Sequence, residues 1–255
     1  MSNLEKGYLL EFILRREKVT DFSVYPFSLP AVANLESLSF HPKVTFLIGE
    51  NGSGKSTLLE AIAVSLGLNP EGGSRHASFA TSNTHSILGD IVYLSRSHKR
   101  PRDLYFLRAE SFYNVATYMD DKDDPQYSRN VYLSGYGGQS LHEQSHGESF
   151  IATMNNRLGA DGVYLFDEPE AALSPSRQLS ALAVIHKLVG LGSQLIIATH
   201  SPILMAYPNA TIYQFSDSGI EEVSYTDTEH YTITKEFLNK PEKMLRYLLD
   251  ESEQT

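Results

Sequence analysis

The residues with the clearest chemical potential form one glycine-rich stretch, GENGSGKST, between an apolar run and a helix-like run. It matches the pattern Gly-x-x-x-x-Gly-Lys-Ser, and its glycines let the backbone curl so that successive N–H groups point at a phosphate. A helix beginning near Gly54 would add its positive dipole end. Lys55 would bridge a β- and a γ-phosphate, and Ser56 would ligate Mg²⁺. The residues predicted to line this nucleotide phosphate site are Gly49, Asn51, Gly52, Ser53, Gly54, Lys55, Ser56 and Thr57.

The flanking sequence supports that interpretation of the loop. The apolar run KVTFLI precedes it as a predicted strand, and an apolar stripe follows it as a predicted helix that Gly67 ends. A Gly-rich turn arising by chance is the alternative, expected on the order of once in a hundred chains of this length. The stripe consists of Leu58, Leu59, Ile62, Ala63 and Leu66.

A second feature is a pair of adjacent carboxylates, Asp167 and Glu168, after the apolar run VYLF. Adjacent strand residues point to opposite sides, so the two carboxylates cannot do the same job. Asp167 is expected to face the Mg²⁺ shell, and Glu168 a water aligned on the γ-phosphate. The alternative, a strand that merely ends at an Asp-Glu-Pro turn, is weakened by the phosphate loop upstream.

A third feature is the stretch EQSHGESF, which predicts the start of a helix. Ser145 is the expected N-cap and Glu148 its capping-box partner, before an apolar stripe that begins at Phe150. A helix N-terminus with a serine hydroxyl and a glycine is also suited to anions, so Ser145 and Gly147 could hold a second phosphate contact.

The order of these features, with ATHS (Ala198 to Ser201) after a further strand, resembles the ATP-binding-cassette (ABC) type ATPases. The resemblance implies ATP and Mg²⁺ as ligands, hydrolysis with Glu168 as the catalytic carboxylate, and His200 as a switch histidine reaching the γ-phosphate. It also implies an ATP-dependent homodimer, in which Ser145 and Gly147 of one subunit close on the ATP of the other. The segment ALSPSR would pass along that dimer interface.

The chain departs from the family pattern in several places. The usual Leu-Ser-Gly-Gly-Gln is QSHGE here, which keeps only the Ser-x-Gly core. Glu110 is a candidate for the family's glutamine after a strand, although a core or surface carboxylate is the simpler interpretation. Tyr25 and Phe27 are candidates for stacking on adenine, with a place in the core as the favoured alternative.

Two branches of the family compete. DEPEAALSP and QSHGE resemble the soluble SMC and RecF relatives more than transporter subunits, which favours a soluble ATPase switch with a candidate role in DNA maintenance or defence. The span between Thr57 and Ser145 is too short for coiled-coil arms. The ATP-hydrolysing subunit of a membrane transporter is the alternative, and a P-loop kinase is a distant third.

Composition limits the partners. The net charge is −10, which argues against a broad basic surface, although the run SHKRPR could form a local basic patch. A solvated loop is the favoured interpretation of that run and of the acidic run MDDKDDP. No apolar run is long enough to insert in a membrane, and the absence of cysteine fits the cytoplasm. The partner protein is unknown, and any nucleic acid would be reached through it.

The predicted fold is a single α/β domain over residues 1–255, the P-loop NTPase core of an ABC-type ATPase, with a mixed sheet flanked by helices. An inserted helical lobe is expected over about residues 111–158. A hairpin is predicted from Ala210 to Tyr225, turning at Asp217 to Gly219, and a terminal helix from Pro241 to Leu249. The strands expected in the sheet are Leu9 to Leu14, Val44 to Ile48, Ile91 to Ser95, Val163 to Asp167 and Leu195 to Thr199.

Overall fold

The computed structural model describes residues 7–74, 88–112 and 146–249. The predicted N-cap Ser145, the acidic run and most of the inserted lobe lie outside these residues. The strands are β1 (Leu9–Leu14), β2 (Ser37–Ser39), β3 (Val44–Gly49), β4 (Val92–Arg96), β5 (Asp103–Arg108), β6 (Gly162–Asp167), β7 (Gln194–Ala198), β8 (Thr211–Ser216) and β9 (Gly219–Glu222). The α-helices are α1 (Pro30–Ala33), α2 (Lys55–Ser65), α3 (Leu88–Ile91), α4 (His146–Asn156), α5 (Pro175–Gly190), α6 (Pro202–Met205), α7 (Glu229–Asn239) and α8 (Pro241–Leu249).

The central sheet has six strands in the order β5-β6-β7-β3-β8-β9. The first five run parallel, and β9 pairs antiparallel with β8, so the predicted mixed sheet is confirmed. The predicted hairpin and terminal helix are also confirmed, since β8 meets β9 at Ser216 and Gly219 and α8 begins at Pro241. No helix in the described parts of the chain is both long and apolar enough to cross a bilayer.

The layout expected from the sequence is wrong for two strands. β1 and β4 do not join the central sheet but form a separate antiparallel sheet in the order β2-β1-β4. The side chain of Gln194 explains the junction, because its Oε1 accepts the Tyr8 and Leu9 N–H groups while its Nε2 donates to the Leu9 carbonyl. A side chain, rather than a backbone ladder, thus connects β1 to the first residue of β7.

Strand β5 was absent from the predicted layout. Its four central side chains, Leu104 to Leu107, are buried, because β5 is covered on both faces although it stands at the edge of the sheet. It pairs with β6 so that Arg108 lies opposite Asp167. This pairing places a basic residue at the carboxyl end of β5, beside Asp167 at the carboxyl end of β6.

The fold has three layers, with the central sheet in the middle. Alternate residues of the inner strands face two separate cores, as Leu165 and Phe166 of β6 do. One core lies between the two sheets and takes the predicted apolar stripe of α2, and the other is covered by α4 and α5. Because β3, β5, β6 and β7 are parallel, their carboxyl ends meet at one edge of the sheet.

Candidate functional site

The phosphate loop follows β3 at that carboxyl edge, and three of its glycines have left-handed backbone angles. The φ values are 140° at Gly49, 80° at Gly52 and 103° at Gly54. A Cβ on Gly49 would also lie 2.4 Å from the carbonyl oxygen of Phe215, so both space and conformation require glycine there. Gly54 is the N-cap of α2, which aims the helix N-terminus at the interior of the loop.

Lys55 places its ammonium group directly beneath this loop. The side chain is buried, and Nζ donates to the carbonyl oxygens of Gly49 at 2.8 Å and Glu50 at 2.9 Å. Burial lowers the pKa of Lys55, and the carboxylates of Glu168 and Asp167 oppose that shift. The loop therefore holds its cation in place through its own backbone.

Ser56 and Asp167 lie together, as predicted. Ser56 Oγ donates to Asp167 Oδ1 at 2.9 Å, and the Asp167 side chain is only 5% exposed. Burial raises the Asp167 pKa to about 6, although the Arg108 guanidinium and the Ser56 hydroxyl act in the opposite direction. A serine oxygen beside one carboxylate fits Mg²⁺, which is usually held by one or two protein oxygens together with substrate phosphates and water.

Arg108 is a residue of this site that the sequence interpretation missed. Its Nε lies 3.3 Å from Asp167 Oδ2, and its Nη1 lies 3.5 Å from Glu60 Oε2 on α2. Nη1 also donates to the carbonyl of Pro70 at 3.2 Å. The apolar run that forms β5 was the available signal, but only the pairing of β5 with β6 brings the arginine to Asp167.

Glu168 and His200 face each other across the same edge. Glu168 has a left-handed backbone, with φ 48° and ψ 52°, and its side chain is 42% exposed. Its Oε1 lies 3.5 Å from His200 Nε2. The two residues that the family resemblance links to the γ-phosphate are thus brought together.

Glu170 is a second missed residue, and it fixes the segment that carries His200. Its carboxylate accepts the Thr199 hydroxyl at 2.7 Å and the His200 backbone N–H at 2.5 Å. Burial raises the pKa of Glu170, while these two hydrogen bonds oppose the rise. Its place in DEPEAA was visible in the sequence, but its partners depend on the neighbouring strand.

The two aromatic candidates for adenine differ. Phe27 is buried, which confirms its interpretation as a core residue. The same interpretation is wrong for Tyr25, which is 62% exposed and whose Oη lies 3.1 Å from Thr57 Oγ1 on α2. The ring of Tyr25 lies at the surface beside the phosphate loop. Tyr25 is therefore available to stack on a base.

Glu110 lies just beyond β5 with an 84% exposed side chain, so it is a surface carboxylate. It nevertheless lines the same cavity of about 550 Å³ as Ser56, Asp167 and Glu168. Its Oε2 is 3.5 Å from Arg108 Nη2. Glu110, a candidate for the family's glutamine, therefore opens on the carboxylate site.

The start of α4 forms a separate small cluster with the beginning of α5, called here the helix-start cluster: Gly147, Glu148 and Arg177. Gly147 is buried, and a Cβ on it would lie 2.9 Å from the Ala172 carbonyl oxygen and 3.0 Å from Arg177 Nη1. Glu148 Oε1 is 3.0 Å from Arg177 Nη2. Gly147 is thus tied to the segment that was expected to pass along a dimer interface.

The basic run lies away from this site. It forms the loop between β4 and β5, at the amino end of β5, and lines a cavity of about 830 Å³. Arg102 Nε pairs with Asp161 Oδ2 at 3.3 Å, whereas Lys99 and Arg100 are exposed. The run is a solvated basic loop at the opposite end of the sheet from the phosphate loop.

Comparisons with known proteins agree with the geometry. The family model described as an AAA domain matches residues 26–150. The chain is 24% identical over 245 residues to the "Energy-coupling factor transporter ATP-binding protein EcfA2" of Methanospirillum hungatei, which covers 90% of this chain and 60% of that protein. It is 51% identical over 95 residues to the "Phosphate import ATP-binding protein PstB 1" of Streptococcus pneumoniae, which covers 36% of this chain and 32% of that protein.

Among solved structures, the SMC head domain from Thermotoga maritima matches with a TM-score of 0.46 and 16% identity, over 85% of this chain and 99% of that chain. The chain spans less than two thirds of the length of the relatives EcfA2 and PstB 1. The phosphate loop with its carboxylates, the AAA-domain match and the ATP-binding relatives support an ABC-type P-loop ATPase.

Proposed function

We propose that this chain binds and hydrolyses ATP as a switch whose two copies associate when ATP is bound. The observation that carries the proposal is the convergence of Lys55, Ser56, Asp167, Glu168 and His200 at one edge of the sheet. Their elements are far apart in sequence, yet their side chains supply a cation, a metal-ligand pair, a carboxylate and an imidazole in one place.

Binding follows from the loop. The curled backbone of the phosphate loop would present N–H groups to the β-phosphate, and Lys55 would turn from its carbonyl partners to the β- and γ-phosphates. Mg²⁺, held by Ser56 and Asp167, would neutralise charge between the same phosphates. The exposed ring of Tyr25 would stack on adenine, since it lies beside Thr57 at the mouth of the loop.

Hydrolysis would use Glu168 and His200. Glu168 would accept a proton from a water as that water attacks the γ-phosphorus, and the bond to the β–γ bridging oxygen would break to release ADP. His200 would donate its Nε2–H to a γ-phosphate oxygen. The partial exposure of Glu168 supports this role, because a water must be able to reach it.

The second half of each site would come from another copy. Ser145 and Gly147 would contact the γ-phosphate held by the partner's loop, so that one phosphate links two chains. This part of the proposal rests on the sequence resemblance, since Gly147 is buried against Ala172 and Arg177 of its own chain. Loss of the γ-phosphate would then open the dimer.

The biological branch follows from sequence rather than geometry. DEPEAALSP and QSHGE favour a soluble switch in the cytoplasm, with a candidate role in DNA maintenance or defence, nucleic acid being reached through an unknown partner protein. The alternative, an ATP-binding subunit of a membrane transporter, is supported by the relatives EcfA2 and PstB 1. A pull-down with Glu168→Gln in the presence of ATP, scored for a permease or a nuclease, separates the two.

The test of the shared site mixes two variants that are each inactive alone, Lys55→Ala and Ser145→Arg. A mixed dimer has one site with both defects and one with neither, so ATPase activity should return on mixing. If light scattering shows that ATP drives mixed dimers to form and no activity returns, the shared site is wrong. Wild-type protein without ATPase activity would overturn the proposed function itself.

A further inference from the structure

The ring of His200 has a second contact that the proposed reaction does not use. Its Nδ1 lies 3.3 Å from Nε2 of His230, the second residue of α7. The ring centroids are 5.4 Å apart with planes inclined at 51°, and both rings are partly buried. Two imidazole nitrogens at this distance can share only one proton, so one ring must donate and the other must accept.

The opposite nitrogen of His200 decides which ring donates. Its Nε2 is buried, has no hydrogen-bond partner of good geometry within the described ranges, and lies 3.5 Å from Glu168 Oε1. A bare Nε2 would set one acceptor against another, whereas an Nε2–H would face the carboxylate favourably. Glu168 therefore favours the Nε2–H tautomer of His200, which leaves Nδ1 bare and able to accept from His230.

We propose that His230 is a positioning residue for His200: it donates its Nε2–H to Nδ1 and so keeps the proton of the switch histidine on Nε2, the nitrogen that the proposed function assigns to the γ-phosphate. The role rests on the proposed ATPase function for its purpose, but the contact itself does not. Ligand histidines and catalytic histidines are commonly fixed in this way, because a bond to one ring nitrogen sets the proton on the other.

The surrounding charges support a neutral pair. Burial and the Lys55 ammonium lower the pKa of His200, with Glu168 opposing and His230 adding to the reduction. Burial and Lys55 likewise lower the pKa of His230, while Glu50 and Glu229 oppose. A lowered pKa keeps the His200 ring neutral, as its bare Nδ1 requires in order to accept from His230.

The start of α7 is anchored well enough to hold His230 in place. The buried Thr228 caps the helix by accepting the Tyr231 N–H at 3.3 Å. Tyr225 Oη, just before the helix, donates to the Pro202 carbonyl at 2.9 Å, two residues after His200. The two histidine-bearing segments are thus joined by the ring contact and by the Tyr225–Pro202 hydrogen bond, so a movement of α7 would be transmitted to His200.

The first test needs no activity. Imidazole ¹⁵N resonances distinguish a protonated from a bare ring nitrogen, and in the free wild-type protein at pH 7.5 His200 should be protonated at Nε2. His230→Ala should give a mixture of tautomers, whereas His230→Gln should keep Nε2–H, because the amide can donate to the same Nδ1. His200 protonated at Nδ1 in the wild type, or unchanged resonances in His230→Ala, would overturn the proposal.

The second test measures ATP turnover and includes a control variant at another histidine. His230→Ala should lower kcat about tenfold with KM for ATP changed by no more than about twofold, and His230→Gln should recover most of kcat. His186→Gln is the matched control, since His186 Nδ1 also has a ring partner, Tyr207 Oη at 3.2 Å, but lies on α5. Equal loss in the Ala and Gln variants, or an equal loss in the control, would contradict a positioning role. An inactive wild type would overturn the ATPase proposal and leave the ¹⁵N result standing.

Discussion

The phosphate loop with its carboxylates and the helix-start cluster are two halves of the proposed site, and they are constructed differently. Lys55 and Asp167 are nearly inaccessible and are held by hydrogen bonds from their own chain. Glu148 and Arg177 are 56% and 34% exposed and form an ion pair with each other. The phosphate half is therefore organised before a ligand arrives, whereas the charged side chains of the helix-start cluster lie at the surface.

The difference has a physical cause. A multivalent anion is bound tightly only where dipoles and a cation are already oriented, because orienting them during binding would cost free energy. A surface that meets another copy must instead separate again after each cycle, so it cannot depend on deep burial. The phosphate half should therefore dominate affinity, and the helix-start cluster should matter little until two copies meet.

The largest effect that would test this comparison is expected from Lys55→Ala. The variant removes the buried cation while the glycine loop keeps its shape, so affinity for a fluorescent ATP analogue should fall about a thousandfold, or about 4 kcal/mol. Titration by fluorescence anisotropy measures it. Unchanged affinity would show that the loop is not the phosphate site.

Glu168→Gln should separate binding from turnover within the same half. The amide keeps the shape but cannot take the proton of water, so kcat should fall about a hundred- to a thousandfold while ATP affinity stays within about threefold. Dimers should accumulate with ATP, measurable by light scattering. A wild-type rate in this variant would mean that another group is the catalytic carboxylate.

The parts of this site that the sequence predicted are those encoded by contiguous residues. The loop from Gly49 to Thr57 and the pair Asp167 and Glu168 each bring strand, turn and side chain together within about ten residues. Arg108, Glu170 and His230 reach the site through strand order and helix packing, for which the sequence has no local pattern.

The fold shows the same division. Strands and the terminal helix were predicted from periodicity and proline position, and their ends agree within one residue for β1, β3, β6 and α8. The assignment of β1 and β4 to a separate sheet could not be predicted in this way, because it depends on which edges pair and on the Gln194 side chain that joins them.

Asp167 offers a test in which stability and function move in opposite directions. Because burial raises its pKa to about 6, above the unfolded value, ionisation of Asp167 is disfavoured in the folded chain. The wild type therefore loses stability as pH rises from about 4 to about 6, by up to about 3 kcal/mol, and the loss persists above that range. Asp167→Asn in EDTA should accordingly be more stable than wild type at pH 8 but not at pH 3.5.

Urea denaturation at the two pH values measures this effect, with Glu110→Gln as the control because that carboxylate is exposed. With ATP and Mg²⁺ the order at pH 8 should reverse, since a carboxylate holds the ion more strongly than an amide does. An Asn variant that is less stable at pH 8 without metal would show that the ion pair with Arg108 outweighs burial.

The smallest effect is expected in the helix-start cluster, and it decides whether the two halves really differ. Glu148→Gln removes one side of an ion pair whose partners are both open to water, and such pairs contribute between zero and about 1 kcal/mol. The melting temperature should fall by no more than about 4 °C, and 0.5 M NaCl should remove most of that difference, since salt screens exposed charges. Arg177→Gln and the double variant complete a cycle that isolates the coupling of the pair. A coupling of several kcal/mol, insensitive to salt, would mean that the helix start is fixed as firmly as the phosphate loop. A helix start of that kind would not need a second copy to become ordered. The proposed difference between the phosphate loop and the helix-start cluster would then be wrong.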